Sequence, residues 1–500
     1  MKERTIQDTS LTEEERGLDY IFHPRSIALV GITSDPNNWM GQGFLKGLLE
    51  FGYQGQIYPI NPKSSQIQGL KSYPSVRDVP GPVDHVISLI PAPLTPQLIE
   101  DCGAKGVKVV HLFTAGFGET GEEEGKRLEA ELLAIARRVG VRLIGPNCMG
   151  IHYYKSRITF GMGIPEEAKE SGNISFLSQS GANAGNLLQM GSLRGLRFNK
   201  VVSYGNAVDL NESDFLEHFA ADHDTEIIAA YIEGVKEGPR FRRALIKAAA
   251  VKPVIVLKGG RTVAGGGAAG SHTGALAGNE EIWSALLKQA GAIRVYSMDE
   301  LSDLLVAFRH LPPLAGRNVG VIGSGGGASV EAADICESAG LSVPVLPPEI
   351  RSQLREFTPV AGTSVRNPID STSMFMPQDI TRTVELVASY SGIDFIIFHL
   401  ELGLGIIQGP ARVIVETGRE VIIETARRIH KPLVTVLSYG GSGQGISLFT
   451  DTKDKFVKSG LAVFPSIERA ALAVSRFISY HETKNSAYIS GSPSRTRTVS

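Results

Sequence analysis

One histidine stands in a stretch of sequence made almost entirely of small residues. The segment Lys258–Gly278 reads KGGRTVAGGGAAGSHTGALAG and contains His272. A run of Gly, Ala, Ser and Thr has few side chains to pack, so it can pass close to other backbones. An imidazole on such a segment can act as a nucleophile that accepts a phosphoryl group at one site and carries it to another. Most of the chain's 11 histidines are expected to be structural or simply exposed.

A nucleophilic imidazole needs a carboxylate to orient it, and Glu233 is the best-placed candidate. This residue closes IIAAYIEG, an apolar run at 227–234 that predicts a buried strand. Ligands gather at the carboxyl ends of parallel strands, so the position favours a role in a site. Taken alone, Glu233 could also be a solvated strand end.

Two further segments are turns that could hold a phosphoryl group. The segment ISFLSQSGANAGNLL (174–188) predicts a strand, a turn and a helix, and the turn could offer hydroxyls and free N–H groups to phosphate. An ordinary helix cap explains the same serines equally well. The segment VGVIGSGGGASVEAADIC (319–336) holds more glycine than a turn requires, which allows close backbone approach. The candidate phosphate-binding residues are Ser178, Gln179, Ser180, Gly181, Gly325, Gly326 and Gly327.

A third turn, near the start of the chain, predicts nucleotide binding. The strand SIALVG ends at Gly31, and a helix is predicted near Gly41–Leu49, so free N–H groups could hold a phosphate. The loop is too long for a compact GxGxxG, and the second strand ends in Asn61-Pro62-Lys63 where an NAD site has Asp or Glu. Lys63 suits a nucleotide with an extra ribose phosphate, as in coenzyme A or NADP. A merely structural turn is the other interpretation.

Short β-branched runs alternate with helical patterns along the chain, which is typical of doubly wound α/β sheets buried on both faces. A strand, a small-residue turn and a helix begin near Ile27, Ile174 and Val319, at intervals of 147 and 145 residues. We therefore predict three α/β open-sheet domains. Their expected bounds are 21–165, 170–312 and 316–482, between an N-terminal extension (1–20) and a Ser/Arg-rich, disordered tail (483–500).

Composition and charge argue against several classes of function. The net charge of −2 gives no electrostatic case for a nucleic-acid or membrane partner. The three cysteines lie far apart, which excludes a disulfide framework and a CxxC metal site and fits a reducing compartment. No run approaches 18 apolar residues, and the first 17 residues are polar. We expect a cytoplasmic protein without a metal site.

Together these segments resemble a known family. GITS (31–34), PINPK (59–63), residues 114–125, RLIGPNCMGI (142–151), SFLSQSGA (175–182), YIEGVKEG (231–238), GSHTGALAG (270–278) and NPID (367–370) resemble the α subunit of nucleoside-diphosphate-forming acyl-CoA synthetases, relatives of succinyl-CoA synthetase. The resemblance runs from about residue 21 to 480. It implies a Rossmann-like CoA-binding domain followed by two flavodoxin-like ligase domains. One departure is Ile32, where a small residue is usual.

The resemblance also implies roles for individual residues. His272 matches the phosphorylated histidine, Glu233 the acid that orients it, and the turns at 178–181 and 323–328 the two helix starts that hold the phosphoryl group. The implied ligands are coenzyme A, an acyl-CoA or carboxylic acid, and phosphate. ATP or ADP with Mg is expected only on an ATP-grasp β subunit, which would make a hetero-oligomer. The residues implied for CoA are Gly31, Thr33, Ser34, Asn61, Lys63, Pro91 and Asn147.

The sequence therefore predicts a reversible CoA ligase that works through a phosphohistidine and needs a partner subunit. A CoA-binding regulatory protein of the same fold is an alternative, and CoA binding without phosphorylation would support it. An NADP-dependent oxidoreductase is permitted by Lys63 alone, but it leaves the His272 segment unexplained. The acid substrate is not readable from the sequence.

Overall fold

The computed structural model describes residues 18–33, 35, 39–160, 169–267, 279–323, 326–370, 376–402, 410–440 and 445–490. Strands and helices alternate and form three predominantly parallel sheets, which confirms the predicted α/β class. The chain divides into two compact units. One comprises Met1–Ser192 with Arg197–Leu301 and holds two sheets, and the other comprises Leu193–Leu196 with Ser302–Ser500 and holds the third.

The first sheet has five parallel strands in the order β2-β1-β5-β6-β7. The strand β1, which pairs with β2 and β5, is buried along its whole length, as an apolar strand inside a parallel sheet should be. The strands are β1 (Ser26–Val30), β2 (Gln56–Ile60), β5 (His85–Ser88), β6 (Val109–Leu112) and β7 (Arg142–Ile144), with a small hairpin of β3 (Gln66–Ile67) and β4 (Leu70–Lys71). The helices are α1 (Asp19–Phe22), α2 (Trp39–Phe51), α3 (Thr95–Lys105) and α4 (Glu123–Val139), with 3-10 turns at Val76–Asp78, Ala92–Leu94 and Gly118–Thr120.

The second sheet has six strands in the order β13-β12-β11-β9-β10-β8. Its strands are β8 (Gly150–Tyr153), β9 (Ile174–Ser178), β10 (Phe198–Ser203), β11 (Ile227–Ile232), β12 (Val254–Lys258) and β13 (Ile293–Val295). Its helices are α5 (Gly181–Ser192), α6 (Glu212–Ala221), α7 (Gly238–Val251) and α8 (Glu280–Ala290). The next helix, α9 (Met298–His310), begins in the first compact unit, but most of its residues belong to the second. The strand β8, which the predicted boundary at residue 165 assigned to the first domain, pairs antiparallel with β10 and covers an edge of this sheet.

The third sheet has the order β15-β16-β14-β17-β18-β19, with β15 antiparallel to β16. Its strands are β14 (Val319–Gly323), β15 (Ser364–Val365), β16 (Ile369–Asp370), β17 (Phe395–Leu402), β18 (Leu433–Tyr439) and β19 (Ala462–Phe464). Its helices are α10 (Gly326–Ser338), α11 (Pro348–Arg355), α12 (Pro377–Ser389), α13 (Pro410–Arg428), α14 (Ile446–Lys458) and α15 (Ile467–Ser490).

The last helix, α15, extends into the segment that was predicted to be disordered. Disorder was predicted from residue 483, but α15 continues to Ser490. The Thr483 hydroxyl donates to the Ser479 carbonyl at 2.8 Å, and the Lys484 ammonium lies 5.8 Å from the centre of the Tyr480 ring. Contacts one turn apart support a helix even where composition is polar. The rest of the predicted tail, residues 491–500, lies outside the described residues, as do residues 1–17 of the predicted extension.

The ends of α4 follow the charge rule of the helix dipole. In α4, Glu123 and Glu124 occupy the first turn, Arg137 and Arg138 the last, and Gly140 ends the helix with φ +74°. Among the helices in the described ranges, none is long and apolar enough to cross a membrane.

Candidate active site

Glu233 directly follows β11 and is held rigidly at the carboxyl edge of the second sheet. Its side chain is buried, with 4% of the residue exposed, and Oε1 accepts a hydrogen bond from the Tyr231 hydroxyl at 3.1 Å. Residues two apart on a strand point to the same face, which is why Tyr231 can reach it. The main-chain N–H groups of Glu233 and Gly234 both donate to Oε1 of Gln179, the second at 3.0 Å. The carboxylate therefore has a fixed backbone and a fixed side-chain partner.

Lys258, the last residue of β12, clamps the same turn from the neighbouring strand. Its ammonium donates to the carbonyl of Glu233 at 2.7 Å and to the carbonyl of Gly259. Burial lowers the pKa of Lys258 to about 8, against the opposing effect of the Glu233 carboxylate. Only 1% of Lys258 is exposed. Sequence reasoning assigned it no role, although a lysine that ends an all-apolar strand was a signal.

Gly259 makes room for this arrangement. A Cβ atom there would lie 2.6 Å from the Tyr231 hydroxyl oxygen and 3.3 Å from Cγ of Glu233. Any side chain would therefore displace the hydrogen bond that holds the carboxylate. A glycine requirement at this point ties the small-residue segment that begins at Lys258 to the geometry of Glu233.

The turn at 178–181 forms a capped helix start beside Glu233. Ser180 caps α5, because its hydroxyl accepts the N–H of Asn183 at 3.3 Å, while the Ser178 hydroxyl donates to the Ser180 carbonyl at 2.7 Å. A helix leaves its first N–H groups without intrahelical partners, here those of Gly181 and Ala182. The N–H of Gln179 donates to the Tyr231 carbonyl at 3.1 Å, and its side chain holds Glu233. Gln179 thus acts in the structure as a brace between the two strand ends.

The carboxyl ends of three adjacent strands therefore meet at one edge of the second sheet. β12 supplies Lys258, β11 supplies Glu233, and β9 supplies the turn at 178–181. A buried carboxylate next to a helix N-terminus can orient a neutral imidazole while the helix dipole attracts an anion. His272 lies outside the described residues.

The third-domain turn is described only in part. Gly325 lies outside the described residues, Gly326 begins α10, and a Cβ at Gly327 would meet no atom within 4 Å. Near the end of β14 in the same unit, His399 Nε2 is hydrogen-bonded to the Ser438 hydroxyl at 2.8 Å. Burial lowers the pKa of His399, with an opposing effect of Glu401. Sequence reasoning did not single out this histidine.

The predicted CoA residues that the structure describes lie at the carboxyl edge of the first sheet. Asn61 Nδ2 donates to the Ile32 carbonyl at 2.8 Å, and its Oδ1 accepts the N–H of Lys63 at 2.8 Å. These bonds join the ends of β1 and β2 and leave the Lys63 side chain exposed. Gly31 donates its N–H to the Ile60 carbonyl at 3.2 Å, and the Thr33 hydroxyl accepts the N–H of Asp35 at 3.1 Å. Ser34 lies outside the described residues.

Pro91 and Asn147 follow β5 and β7 at the same edge. Pro91 precedes the 3-10 turn Ala92–Leu94. Asn147 adopts φ +57° and donates its N–H to the Thr114 carbonyl at 2.9 Å, while the Thr114 hydroxyl donates to the Ile90 carbonyl at 2.6 Å. The three loops after β5, β6 and β7 are thus linked to one another.

Sequence reasoning did not single out two buried ionisable residues that follow β10, namely Tyr204 directly after the strand and Glu212 at the start of α6. Tyr204 is completely buried, and its pKa is raised well above the ordinary value, first by burial and then by the carboxylates of Glu212 and Glu233. Burial also raises the pKa of Glu212 to about 7. Perturbed ionisable groups at a strand end are typical of functional sites. The only sequence signal was their place after an apolar run.

Comparison with known sequences identifies the class of protein to which these three open sheets and the buried Glu233 belong. Three family profiles match: a CoA binding domain at residues 25–154, a succinyl-CoA ligase like flavodoxin domain at 171–308 and a Ligase-CoA domain at 319–465.

Curated relatives show the family more narrowly. The chain is 34% identical over 478 residues to the α subunit of the ADP-forming acetate–CoA ligase I of Pyrococcus furiosus, covering 93% of this chain and 98% of that one. It is 39% identical over 380 residues to the α subunit of the ADP-forming acetate–CoA ligase II of the same organism, covering 76% and 81%. The chain belongs to the family of ADP-forming acyl-CoA synthetase α subunits.

A solved structure shares the architecture. The dinucleotide-forming acetyl-coenzyme A synthetase 1 of Candidatus Korarchaeum cryptofilum, in complex with phosphate and ADP, aligns with a TM-score of 0.79 at 31% identity. The alignment covers 95% of this chain and 99% of that one.

Proposed function

We propose that this chain is the α subunit of an acyl-CoA synthetase that interconverts acyl-CoA, phosphate and ADP with a carboxylic acid, CoA and ATP. The observation that carries the proposal is the fixed, buried carboxylate of Glu233 beside the capped start of α5. This arrangement supplies what a phosphohistidine needs, namely an acceptor for one ring N–H and N–H groups for the phosphoryl oxygens.

The first chemical step takes place on the thioester. A phosphate oxygen attacks the acyl carbonyl carbon, the carbon–sulfur bond breaks, and CoA leaves as a thiolate that takes up a proton. The products are an acyl phosphate and free CoA. The strand-end loops of the first domain, at Gly31, Thr33, Ser34, Asn61, Lys63, Pro91 and Asn147, are proposed to hold CoA. The exposed Lys63 ammonium suits the extra ribose phosphate.

The second step forms the phosphohistidine. A ring nitrogen of His272 attacks phosphorus, the bond to the carboxylate oxygen breaks, and the carboxylic acid leaves as its anion. Glu233 accepts the N–H of the other ring nitrogen and stabilises the positive charge that develops there. The start of α5 contributes about half a positive charge toward the phosphoryl oxygens.

The phosphoryl group then passes to ADP on a partner. We propose an ATP-grasp β subunit as that partner, supported by the relatives that are named as α subunits. ADP and its Mg²⁺ would bind on the partner, so the working enzyme would be a hetero-oligomer. We also propose three domains that begin near residues 21, 170 and 316, and a cytoplasmic location. The location is supported by the free thiols of Cys102, Cys148 and Cys336, all of them buried.

Radioactive labelling tests the proposal. The chain is incubated with acetyl-CoA and ³²P-phosphate, then split into acid-treated and base-treated samples. We expect a protein-bound label that survives base and is lost in acid, and that is absent from His272→Asn.

Omission of acetyl-CoA is the matched control, because phosphate alone cannot phosphorylate the histidine in the absence of a partner and ATP. A wild-type protein that stays unlabelled with acetyl-CoA and with other short acyl-CoA thioesters would overturn the enzymatic proposal. CoA binding in such a protein would then favour a regulatory role.

A further inference from the structure

Asn206, in the loop after β10, bridges two carboxylates of the first domain. Its Nδ2 donates to Oε2 of Glu119 and to Oε2 of Glu129, the second at 3.2 Å. An ionised carboxylate can only accept hydrogen bonds, so the NH₂ group of Asn206 must face the two glutamates. The orientation of the amide is therefore determined by its partners.

Both glutamates are themselves held in place. Oε1 of Glu119 accepts the N–H groups of Gly116 at 2.5 Å and Phe117 at 3.1 Å. Glu129 accepts the N–H of Gly118 at 3.0 Å and the Lys236 ammonium at 3.1 Å. The 3-10 turn after β6 thus forms a rigid support for the Asn206 amide.

This orientation leaves the carbonyl oxygen of Asn206 buried on the other side. Asn206 is 2% exposed, and its Oδ1 has no hydrogen-bond partner among the residues that the structure describes. An unpaired buried carbonyl is costly unless a ligand or water supplies a donor. Asn199 also has an unpaired buried Oδ1, at the other end of β10, so the unpaired atom alone does not mark a site.

Asn206 differs from Asn199 in its position relative to the proposed site. Its N–H donates to the Pro146 carbonyl at 3.0 Å, next to the predicted CoA residue Asn147. Gly205 approaches so closely that a Cβ there would lie 2.1 Å from the Pro146 carbonyl oxygen. Tyr204 donates its N–H to the carbonyl of Ser178 at 3.0 Å. Asn206 therefore lies between the proposed CoA loops and the proposed phosphate turn.

We propose that Asn206 is a further substrate-contacting residue of this site, whose side-chain carbonyl accepts a hydrogen bond from the pantetheine arm of CoA. The inference rests on the proposed function. The pantetheine arm carries two amide N–H groups and a thiol, all of them donors. A phosphate dianion is a poorer match, because the carboxylates of Glu119 and Glu129 lie directly behind the Asn206 amide.

Calorimetric titration of the full chain with three probes tests the inference. The probes are CoA, adenosine 3′,5′-bisphosphate (which lacks the pantetheine arm) and inorganic phosphate. In Asn206→Ala we expect the Kd for CoA to rise roughly tenfold or more, since a lost hydrogen bond and an altered buried site cost at least that much. The Kd values for the bisphosphate and for phosphate should stay within about twofold of wild type.

Two further variants keep the test decisive. Asn206→Ser retains a donor toward the glutamates without the carbonyl, and it should show the same CoA-specific loss if the alanine variant does not fold. Asn199→Ala is the matched control, because it removes an equally buried asparagine whose Nδ2 also donates to a carboxylate, that of Asp222 at 2.7 Å. Its CoA affinity should equal that of wild type.

Each result has one meaning. Equal weakening of CoA and of the bisphosphate would assign Asn206 a structural role and overturn the inference, as would unchanged CoA affinity. Selective weakening of phosphate would place the Asn206 carbonyl at the phosphate and also overturn it. A wild-type chain that binds no CoA at all would contradict the proposed function itself, which separates the two failures.

Discussion

The two ends of β10 carry polar clusters of opposite character. At the amino end, the Lys200 ammonium and the Asn199 amide both donate to Asp222 at 2.7 Å. Burial alone would raise the pKa of Asp222, but the bonds from Lys200 and Thr225 together lower it to about 2. At the carboxyl end, burial raises the pKa of Glu212 to about 7. The carboxylate of Asp222 is therefore stabilised in its charged form, whereas that of Glu212 is not.

Backbone conformation also distinguishes the carboxyl end of β10. Beyond the carboxyl end, Gly205 and Ala207 both adopt left-handed φ values, +52° and +53°. Strained backbone and perturbed ionisable groups together are typical of a functional site, whereas matched buried charges are typical of a structural one. We therefore expect β10 to contribute to stability at its start and to lie beside the proposed site at its end. Four substitutions test this division.

The largest effect is expected at the amino end. Lys200→Met keeps the length of a side chain that is 2% exposed, but it leaves the Asp222 carboxylate without its ammonium. Breaking a buried ion pair on one side costs about 3–5 kcal/mol in free energy of unfolding, measurable by urea denaturation. Lys155→Met is the control, because its pair with Asp224 is about half exposed and should contribute less than about 1 kcal/mol. Equal losses in the two variants would show that the Lys200 pair is no more important than a surface pair.

Glu212 makes the stability depend on pH. Its pKa rises from 4.5 to about 7 on folding, so the folded protein keeps a proton that the unfolded chain releases. Stability therefore falls as the pH rises through this window, by about 3 kcal/mol in total. Glu212→Gln removes the ionisable group, and its free energy of unfolding should exceed that of wild type by more at pH 8 than at pH 5. A difference that does not change with pH would contradict this prediction.

Glu233→Gln should affect chemistry more than stability. The amide cannot stabilise the positive charge on the imidazole, so single-turnover labelling with acetyl-CoA and phosphate should slow by roughly 100-fold or more. The free energy of unfolding should change by less than about 1 kcal/mol. Tyr231→Phe is the matched control, because it removes only the hydroxyl bond to Oε1 and should slow labelling much less. Labelling of Glu233→Gln at the wild-type rate would exclude the orienting role.

The smallest effect is expected at the start of α5. Ser180→Ala removes the cap on Asn183 and should lower the free energy of unfolding by about 1 kcal/mol, whereas Ser180→Gly should lower it by only a few tenths. If the hydroxyl also binds phosphate, both variants should lose phosphate affinity equally in calorimetric titration. If the loss of phosphate affinity instead parallels the loss of stability, and is therefore larger in Ser180→Ala than in Ser180→Gly, Ser180 acts only as a helix cap.

Much of the fold was predictable because it is local. The apolar runs at 174–178 and 227–232 both form strands, and both strands end where the site begins. The position of Glu233 after β11 followed from the same pattern. Parallel strands buried on both faces leave such a clear apolar signature that strand ends, and with them candidate site residues, can be located without coordinates.

The contacts that build the site were not predictable, because they join residues far apart in the chain. The bond between Gln179 and Glu233 spans 54 residues, and the bond between Asn206 and Glu119 spans 87. Neither pair has a spacing that local periodicity could reveal. The pairing of β8 with β10 was hidden for the same reason.

The amino-acid sequence was sufficient to predict the alternation of strands and helices, the places where small-residue turns follow strands, and the family resemblance around His272. These properties depend on side-chain size, branching and polarity over a few neighbouring residues. The bonds by which Lys258 and Gln179 hold the turn at Glu233, and those from Asn206 to Glu119 and Glu129, became known only from the folded chain. Those arrangements depend on strand order and loop packing, which bring distant residues within hydrogen-bond distance.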